Sequence, residues 1–193
     1  MRITGGAHRG RIITVPDTGT VRPTTDKMRQ QLFNMLLHSQ WATQADFDLD
    51  GAHVLDGFCG SGALGLEALS RGAASCAFVD IDGKAVQTAR ANAQALRVEP
   101  QSQFLIRSCT TMQRRPDATM PRTLVLLDPP YRKDMIAPSL AALHAGLWLA
   151  DEALVIAESE RGWDPKGAPA GFSLLHVRED GDSALNIWQY GAS

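Results

Sequence analysis

An acid, two prolines and an aromatic follow one another at Asp128-Pro129-Pro130-Tyr131, directly after the apolar run Leu124-Val125-Leu126-Leu127. Such a run reads as a buried strand, and open α/β sheets hold their ligands at strand carboxyl ends. Neither proline has a backbone N–H, and Pro130 drives Pro129 into an extended conformation, so the carbonyls here are free to accept. Acceptors beside a flat ring suit a planar nucleobase whose exocyclic amine must be held still and relieved of a proton. In an arbitrary protein the same four residues punctuate a turn, so they need a second motif beside them.

That second motif is Val54-Leu55-Asp56-Gly57-Phe58-Cys59-Gly60-Ser61-Gly62-Ala63-Leu64-Gly65, where a strand turns into a helix. Glycines let backbone approach a ligand closely at a helix N-terminus. Gly60, Gly62 and Gly65 also match the G-x-G-x-x-G of dinucleotide enzymes, which makes nicotinamide and flavin cofactors the rivals. Asp56 counts against them, because a carboxylate there repels a pyrophosphate and attracts the ammonium of S-adenosylmethionine. Asp80, ending the next strand, can accept from both ribose hydroxyls, a need that NAD and S-adenosylmethionine share. Taken singly, Asp56 also reads as a loop-capping acid, and Ile81 either lies against an adenine or is buried under the next helix.

Alternating elements must position these residues. Short strands at Val54-Leu55, Cys76–Val79, Phe104–Ile106, Leu124–Leu127 and Ala153–Ala157 are separated by helical patterns through Leu64–Leu69, Val86–Leu96 and Leu140–Leu147. The alternation predicts a doubly wound parallel sheet with right-handed crossovers. Ser173–Val177 and Ala184–Tyr190, joined by Glu179-Asp180-Gly181-Asp182, predict an antiparallel hairpin at one sheet edge. At the amino terminus, Arg2–Gly6 and Gly10–Pro16 predict a small β-hairpin. A helix then starts after Pro23-Thr24-Thr25-Asp26, with Met28, Leu32, Met35 and Leu36 at helical spacing. Trp41 to Gly51 is polar and reads as a loop.

A chain of 193 residues that is 44% hydrophobic and 21% charged supports one sizeable core and argues against disorder. No apolar stretch approaches the ~20 residues that span a bilayer, and Met1–Gly6 lacks a secretory core, so a cytoplasmic protein is expected, without a membrane partner and as a monomer. Cys59, Cys76 and Cys109 are odd in number and lack metal-type spacing, which predicts reduced thiols and no metal site. Net charge is −2 overall, yet the first 34 residues carry six bases against two acids. A basic end on an acidic body is what a phosphate-contacting extension requires, and equally what a solvated basic face looks like.

The pairing of Leu55–Gly62 with Asp128–Tyr131 resembles the class I S-adenosylmethionine-dependent methyltransferases that act on exocyclic amines. More narrowly, Met1–Gly6, Arg22-Pro23-Thr24-Thr25-Asp26, Leu32-Phe33-Asn34 and Gly60–Arg71 resemble the RsmD family, bacterial enzymes that methylate N2 of one guanine in 16S ribosomal RNA. The resemblance runs from Met1 to about Tyr190. It implies a Rossmann-like class I methyltransferase fold of α/β type, a doubly wound seven-stranded sheet with an antiparallel last strand. Residues 1–22 would form an RNA-binding β-hairpin extension, and residues 23–193 the catalytic domain.

Carried over, the resemblance makes Asp128, Pro129, Pro130 and Tyr131 the catalytic residues. Asp56, Phe58, Gly60, Ser61, Gly62, Asp80, Ile81 and Cys109 would line the S-adenosylmethionine site. Where the family usually has an amide or acid to meet the adenine amine, this chain has Ser108-Cys109, so that contact must be weaker, shifted or made by backbone. The expected reaction is an in-line displacement by the guanine amine, with Tyr131 stacking on the extruded base and either Asp128 or water taking the proton. Arg9, Arg11, Arg22, Lys27 and Arg29 are the expected phosphate contacts, joined by Arg132 and Lys133. The partner would be 16S rRNA in an assembling small subunit. A DNA adenine-N6 methyltransferase and a non-catalytic rRNA-binding assembly factor are the alternatives.

Overall fold

A computed structural model describes residues 1–15 and 26–191. Its centre is a seven-stranded sheet: β1 (His53–Gly57), β2 (Ser75–Asp80), β3 (Ser102–Ile106), β4 (Arg122–Leu127), β5 (Leu149–Glu160), β6 (Phe172–Asp180) and β7 (Ser183–Tyr190). Spatial order is β3-β2-β1-β4-β5-β7-β6, with the first five strands parallel and β7 antiparallel to both neighbours. The expected parallel sheet and terminal antiparallel hairpin are therefore both present.

Successive side chains of a strand point to opposite faces, and the central strands divide accordingly. Val54, Phe78, Leu124, Leu126, Leu154 and Ile156 join one core; Leu55, Val79, Val125, Leu127, Val155 and Ala157 join the other. Helices α1 (Asp26–His38), α2 (Gln40–Gln44), α3 (Ala63–Ser70) and α4 (Gly83–Leu96) contribute to the first core, and α5 (Ile136–Ala145) to the second. With both faces covered, β1, β2 and β4 are apolar runs rather than alternating ones. Two elements differ from expectation. Ser39 caps α2 by accepting the Ala42 N–H, so the segment expected as a loop starts as a helix that buries Trp41. Strand β5 runs on past Ala157 to Glu160.

The amino-terminal segment makes a single bridge, Arg2 with Ile12, closed by a 3-10 turn at Gly6–His8, in place of two extended strands. It lies on the body: Ile3 and Ile13 are buried in the first core. Gly6, at φ +74°, passes so close to α3 that a Cβ would fall 1.7 Å from the Ser70 carbonyl oxygen. With this cover on one side and the sheet on the other, all eight residues of α3 are buried. Pro23, Thr24 and Thr25, the expected helix-capping residues, lie outside the described residues, as does the last stretch of the expected extension. No helix among the described residues is long and apolar enough to cross a membrane.

Candidate active site

Strand order reverses between β1 and β4, and a crevice at such a switch point is where doubly wound sheets bind ligands. Four parallel strands end there in an acid: Asp56 in β1, Asp80 in β2, Asp128 just past β4 and Glu158 in β5. Extending the β4–β5 register one residue beyond Leu127↔Ala157 sets Asp128 beside Glu158. The Asp128 N–H in turn bonds the Gly57 carbonyl at 3.3 Å, which ties the Asp-Pro-Pro-Tyr loop to the glycine loop.

Inside the glycine loop, Phe58, Gly60 and Gly62 all have positive φ, so the chain coils tightly between β1 and α3. Asp56 is 1% exposed, and its Oδ2 accepts the Gly65 N–H at 2.8 Å. Burial holds this carboxyl well above the usual range, and the charges of Asp128 and Asp80 add to the effect against the Gly65 hydrogen bond. The open carboxylate expected to attract a ligand ammonium is thus turned inward, and its direct work is to close the loop onto α3. Gly65 sits against β2: a Cβ there would lie 2.5 Å from both Cys76 Sγ and Phe78 Cε1. Gly65→Ala should destabilise the fold by about 1–3 kcal/mol through overpacking. Denaturant unfolding checks this, and an unchanged midpoint would show that α3 can shift outward.

Asp80 accepts the Gly60 N–H at 3.0 Å on Oδ2 and the Asp82 N–H at 2.9 Å on Oδ1. Each oxygen keeps a lone pair for a ribose hydroxyl. Ile81 is 72% exposed, and Ile106, opposite Asp80 in the register and read from sequence only as the end of a strand, is 61% exposed. Two bare aliphatic side chains beside a carboxylate form the surface that an adenosine needs. Phe58 packs against the second core, and Ser61 is buried, its carbonyl accepting from Asn92 Nδ2. Cys109 is 1% exposed, burial pushes its thiol up to about 12, and its Sγ lies close to Gly57. A thiol so buried would not meet an adenine amine, so a contact there would be shifted or made by backbone, as the sequence led one to expect.

Asp128 is half-buried, Pro129 buried, and Pro130 and Tyr131 exposed. The Tyr131 phenol donates to Glu158 Oε1 at 2.5 Å. Beside them opens a cleft of about 220 Å³ lined by Pro129, Pro130, Tyr131, Glu158 and Trp163, against the ~10–15 Å³ that one water occupies. Sequence reasoning missed Glu158, although an acid directly after an apolar strand was the very signal that found Asp56, Asp80 and Asp128.

Among the expected phosphate contacts, Arg9, Arg11 and Lys27 are exposed, as are Arg132 and Lys133 at the cleft. Arg22 lies outside the described residues. Arg29 is the correction: it is fully buried, ion-paired with Glu67 and Asp26, and donates to the Arg2 carbonyl. Expected on another face, Arg29 precedes Leu32, Phe33 and Leu36 by three, four and seven residues and so shares their buried face, where Glu67 and Asp26 pair with it.

Fold and site together define a Rossmann-like methyltransferase, with an acidic crevice at the switch point and an Asp-Pro-Pro-Tyr loop beside it. The family described as Conserved hypothetical protein 95 matches residues 1–189, and the chain belongs to this family, the RsmD family. Ribosomal RNA small subunit methyltransferase D of Escherichia coli is 36% identical over 98% of this chain and 89% of its own length. The Haemophilus influenzae protein of the same name is 30% identical over 98% and 93%. Among solved structures, the methyltransferase yhhF of Escherichia coli superposes with a TM-score of 0.78 at 33% identity, covering 100% of this chain and 99% of that one.

Proposed function

We propose that this protein transfers a methyl group from S-adenosylmethionine to the exocyclic N2 of a guanine in 16S ribosomal RNA, within the assembling small subunit. The observation that carries the reading is the acidic crevice, with Asp80, Asp128 and Glu158 at strand ends, Asp56 buried behind them and Tyr131 on its rim. Such a field disfavours a pyrophosphate and favours a ligand bearing sulfonium and ammonium charge. The residues fit that donor: Asp80 would hold the ribose, Ile81 and Ile106 the adenine, and the coiled loop from Phe58 to Gly62 the methionine end. When bound, S-adenosylmethionine supplies an electrophilic methyl on a positively charged sulfur.

Everything else is the work of this chain. A guanine amine is planar because its lone pair is delocalised into the ring, and acceptors at Asp128 and the Pro129 carbonyl would favour its pyramidalisation. Positive charge builds on the nitrogen as the methyl arrives, and the nearby carboxylates stabilise it. Tyr131 would stack on the unpaired base, while Arg9, Arg11, Lys27, Arg132 and Lys133 offer cations to phosphate. The names of the relatives direct the choice of ribosomal RNA over DNA.

Labelled-methyl transfer to small subunits lacking the modification, to naked 16S rRNA and to duplex DNA tests the proposal. Label in the guanine of the subunit RNA is expected, weakening as salt rises. Label in DNA alone, or calorimetry showing rRNA binding with no S-adenosylmethionine binding, would defeat it.

A further inference from the structure

Glu158 is a carboxyl group where packing alone would ask for a leucine. It is 8% exposed, and Met28, Leu32, Leu64 and Leu185 line the small void on its inner side. A buried carboxyl is costly unless it is hydrogen-bonded, and here the bond comes from the Tyr131 phenol. That ring needs an anchor: it is 44% exposed, in a loop whose next residues include Arg132 and Asp134 at positive φ. An exposed ring on a loop samples several rotamers, and a group held by a central strand selects one.

Resting on the methyl-transfer reading above, we infer that Glu158 is a positioning residue, which holds the Tyr131 ring in its base-stacking pose by tethering the phenol to the end of β5. The groups around it agree with that role. Asp128 stands at the end of β4, and Ser183 of β7 lies within hydrogen-bonding reach of both the phenol and the carboxyl. Glu160 follows on β5, while Arg132, Lys133 and Asp134 line the outer cleft and α1 and α3 offer only apolar side chains. Burial first, then the Asp128 charge, push the Glu158 carboxyl up to about 7, against the pull of the Tyr131 and Ser183 hydrogen bonds. The phenol is itself raised, by burial and by Glu158, and stays a donor throughout the working range.

Two measurements test the tether. Carboxyl ¹³C NMR of the protein without substrate should show the Glu158 midpoint near 7. Tyr131→Phe removes a bond that favours the ionised form, so the midpoint should rise. No movement in that variant would overturn the inference, whatever the protein's activity. In methyl-transfer assays, Glu158→Ala and Tyr131→Phe should each lower kcat about tenfold, and the double variant no further. Glu158→Gln, whose amide oxygen still accepts from the phenol, should recover most of the rate. Multiplying losses in the double variant, or no loss in Glu158→Ala, would sink the tether. Absence of transfer by the parent protein would instead defeat the methyltransferase reading, with the NMR result still deciding whether Glu158 holds Tyr131.

Discussion

Asp128→Ala should lower kcat for methyl transfer by about 10²–10³-fold while leaving S-adenosylmethionine affinity near that of the parent. The size follows from position. Asp128 is fixed from two sides, by the end of β4 and by its own N–H on Gly57, so its carboxylate is preorganised where positive charge would build on the attacking nitrogen. Stability should not fall with activity. The Asp128 charge pushes both Asp56 and Glu158 upward, and its removal relieves that like-charge repulsion, so the melting temperature is expected to hold or rise. For the same reason the Glu158 midpoint should drop below 7 in this variant. Asp128→Asn separates two roles for the side chain. Its amide oxygen keeps an acceptor but no charge and no proton affinity, so near-parental kcat would assign Asp128 to holding the amine. A loss equal to that of alanine would assign it to charge stabilisation or proton uptake. A kcat within about tenfold of the parent in Asp128→Ala would remove the residue from the chemistry.

Strand ends were the most legible part of this molecule, because a buried parallel strand must be apolar throughout and its first acid marks where it leaves the core. That rule gave Asp56, Asp80 and Asp128 their places, and it applied equally to Glu158 after Ala153–Ala157. What sequence could not supply was tertiary cover. Arg29 looked like a surface cation because a charge on the face of Leu32, Phe33 and Leu36 is buried only with a partner, and that partner, Glu67 on α3, lies 38 residues away in sequence. Cys109 follows β3 within a 3-10 turn, and the burial of its side chain depends on that turn, which no periodicity announces. Asp56 has the same history, its inward orientation being set by a hydrogen bond to Gly65 nine residues on. Asn92 is buried on α4, accepts the Thr14 N–H and donates to the carbonyls of Thr14 and Ser61. It joins the amino-terminal segment to the glycine loop; spacing puts it on the buried face with Ala85, Ala89 and Leu96, but its partners lie 31 and 78 residues away in sequence.

The largest effect on stability should come from Glu67→Ala, at a position far from the proposed chemistry. Glu67 is fully buried in α3 and accepts four hydrogen bonds: the Thr4 N–H at 2.8 Å, the Thr4 hydroxyl at 2.6 Å, Arg71 Nε at 2.8 Å and Arg29 Nε at 3.3 Å. One carboxylate thereby clamps the amino-terminal segment, α1 and α3 together. Its truncation leaves the buried Arg29 guanidinium paired with Asp26 among the described residues, and breaking a buried pair from one side costs about 3–5 kcal/mol. For a chain of this size that corresponds to a melting temperature lower by about 10 °C. Loss should be graded across the structure, because the bonds that Glu67 makes run to the amino-terminal segment, α1 and α3 and not to the central strands. Hydrogen exchange should rise first at Ile3 and Ile13, whose N–H groups bond within the amino-terminal segment, and later at Val54 or Val125. Function should follow the same gradient. S-adenosylmethionine binding is expected to survive at temperatures where the variant is still folded, while affinity for rRNA drops as Arg9 and Arg11 lose their fixed support. Uniform acceleration of exchange would show instead that the amino-terminal segment and the sheet unfold as one unit, and that the clamp belongs to the core.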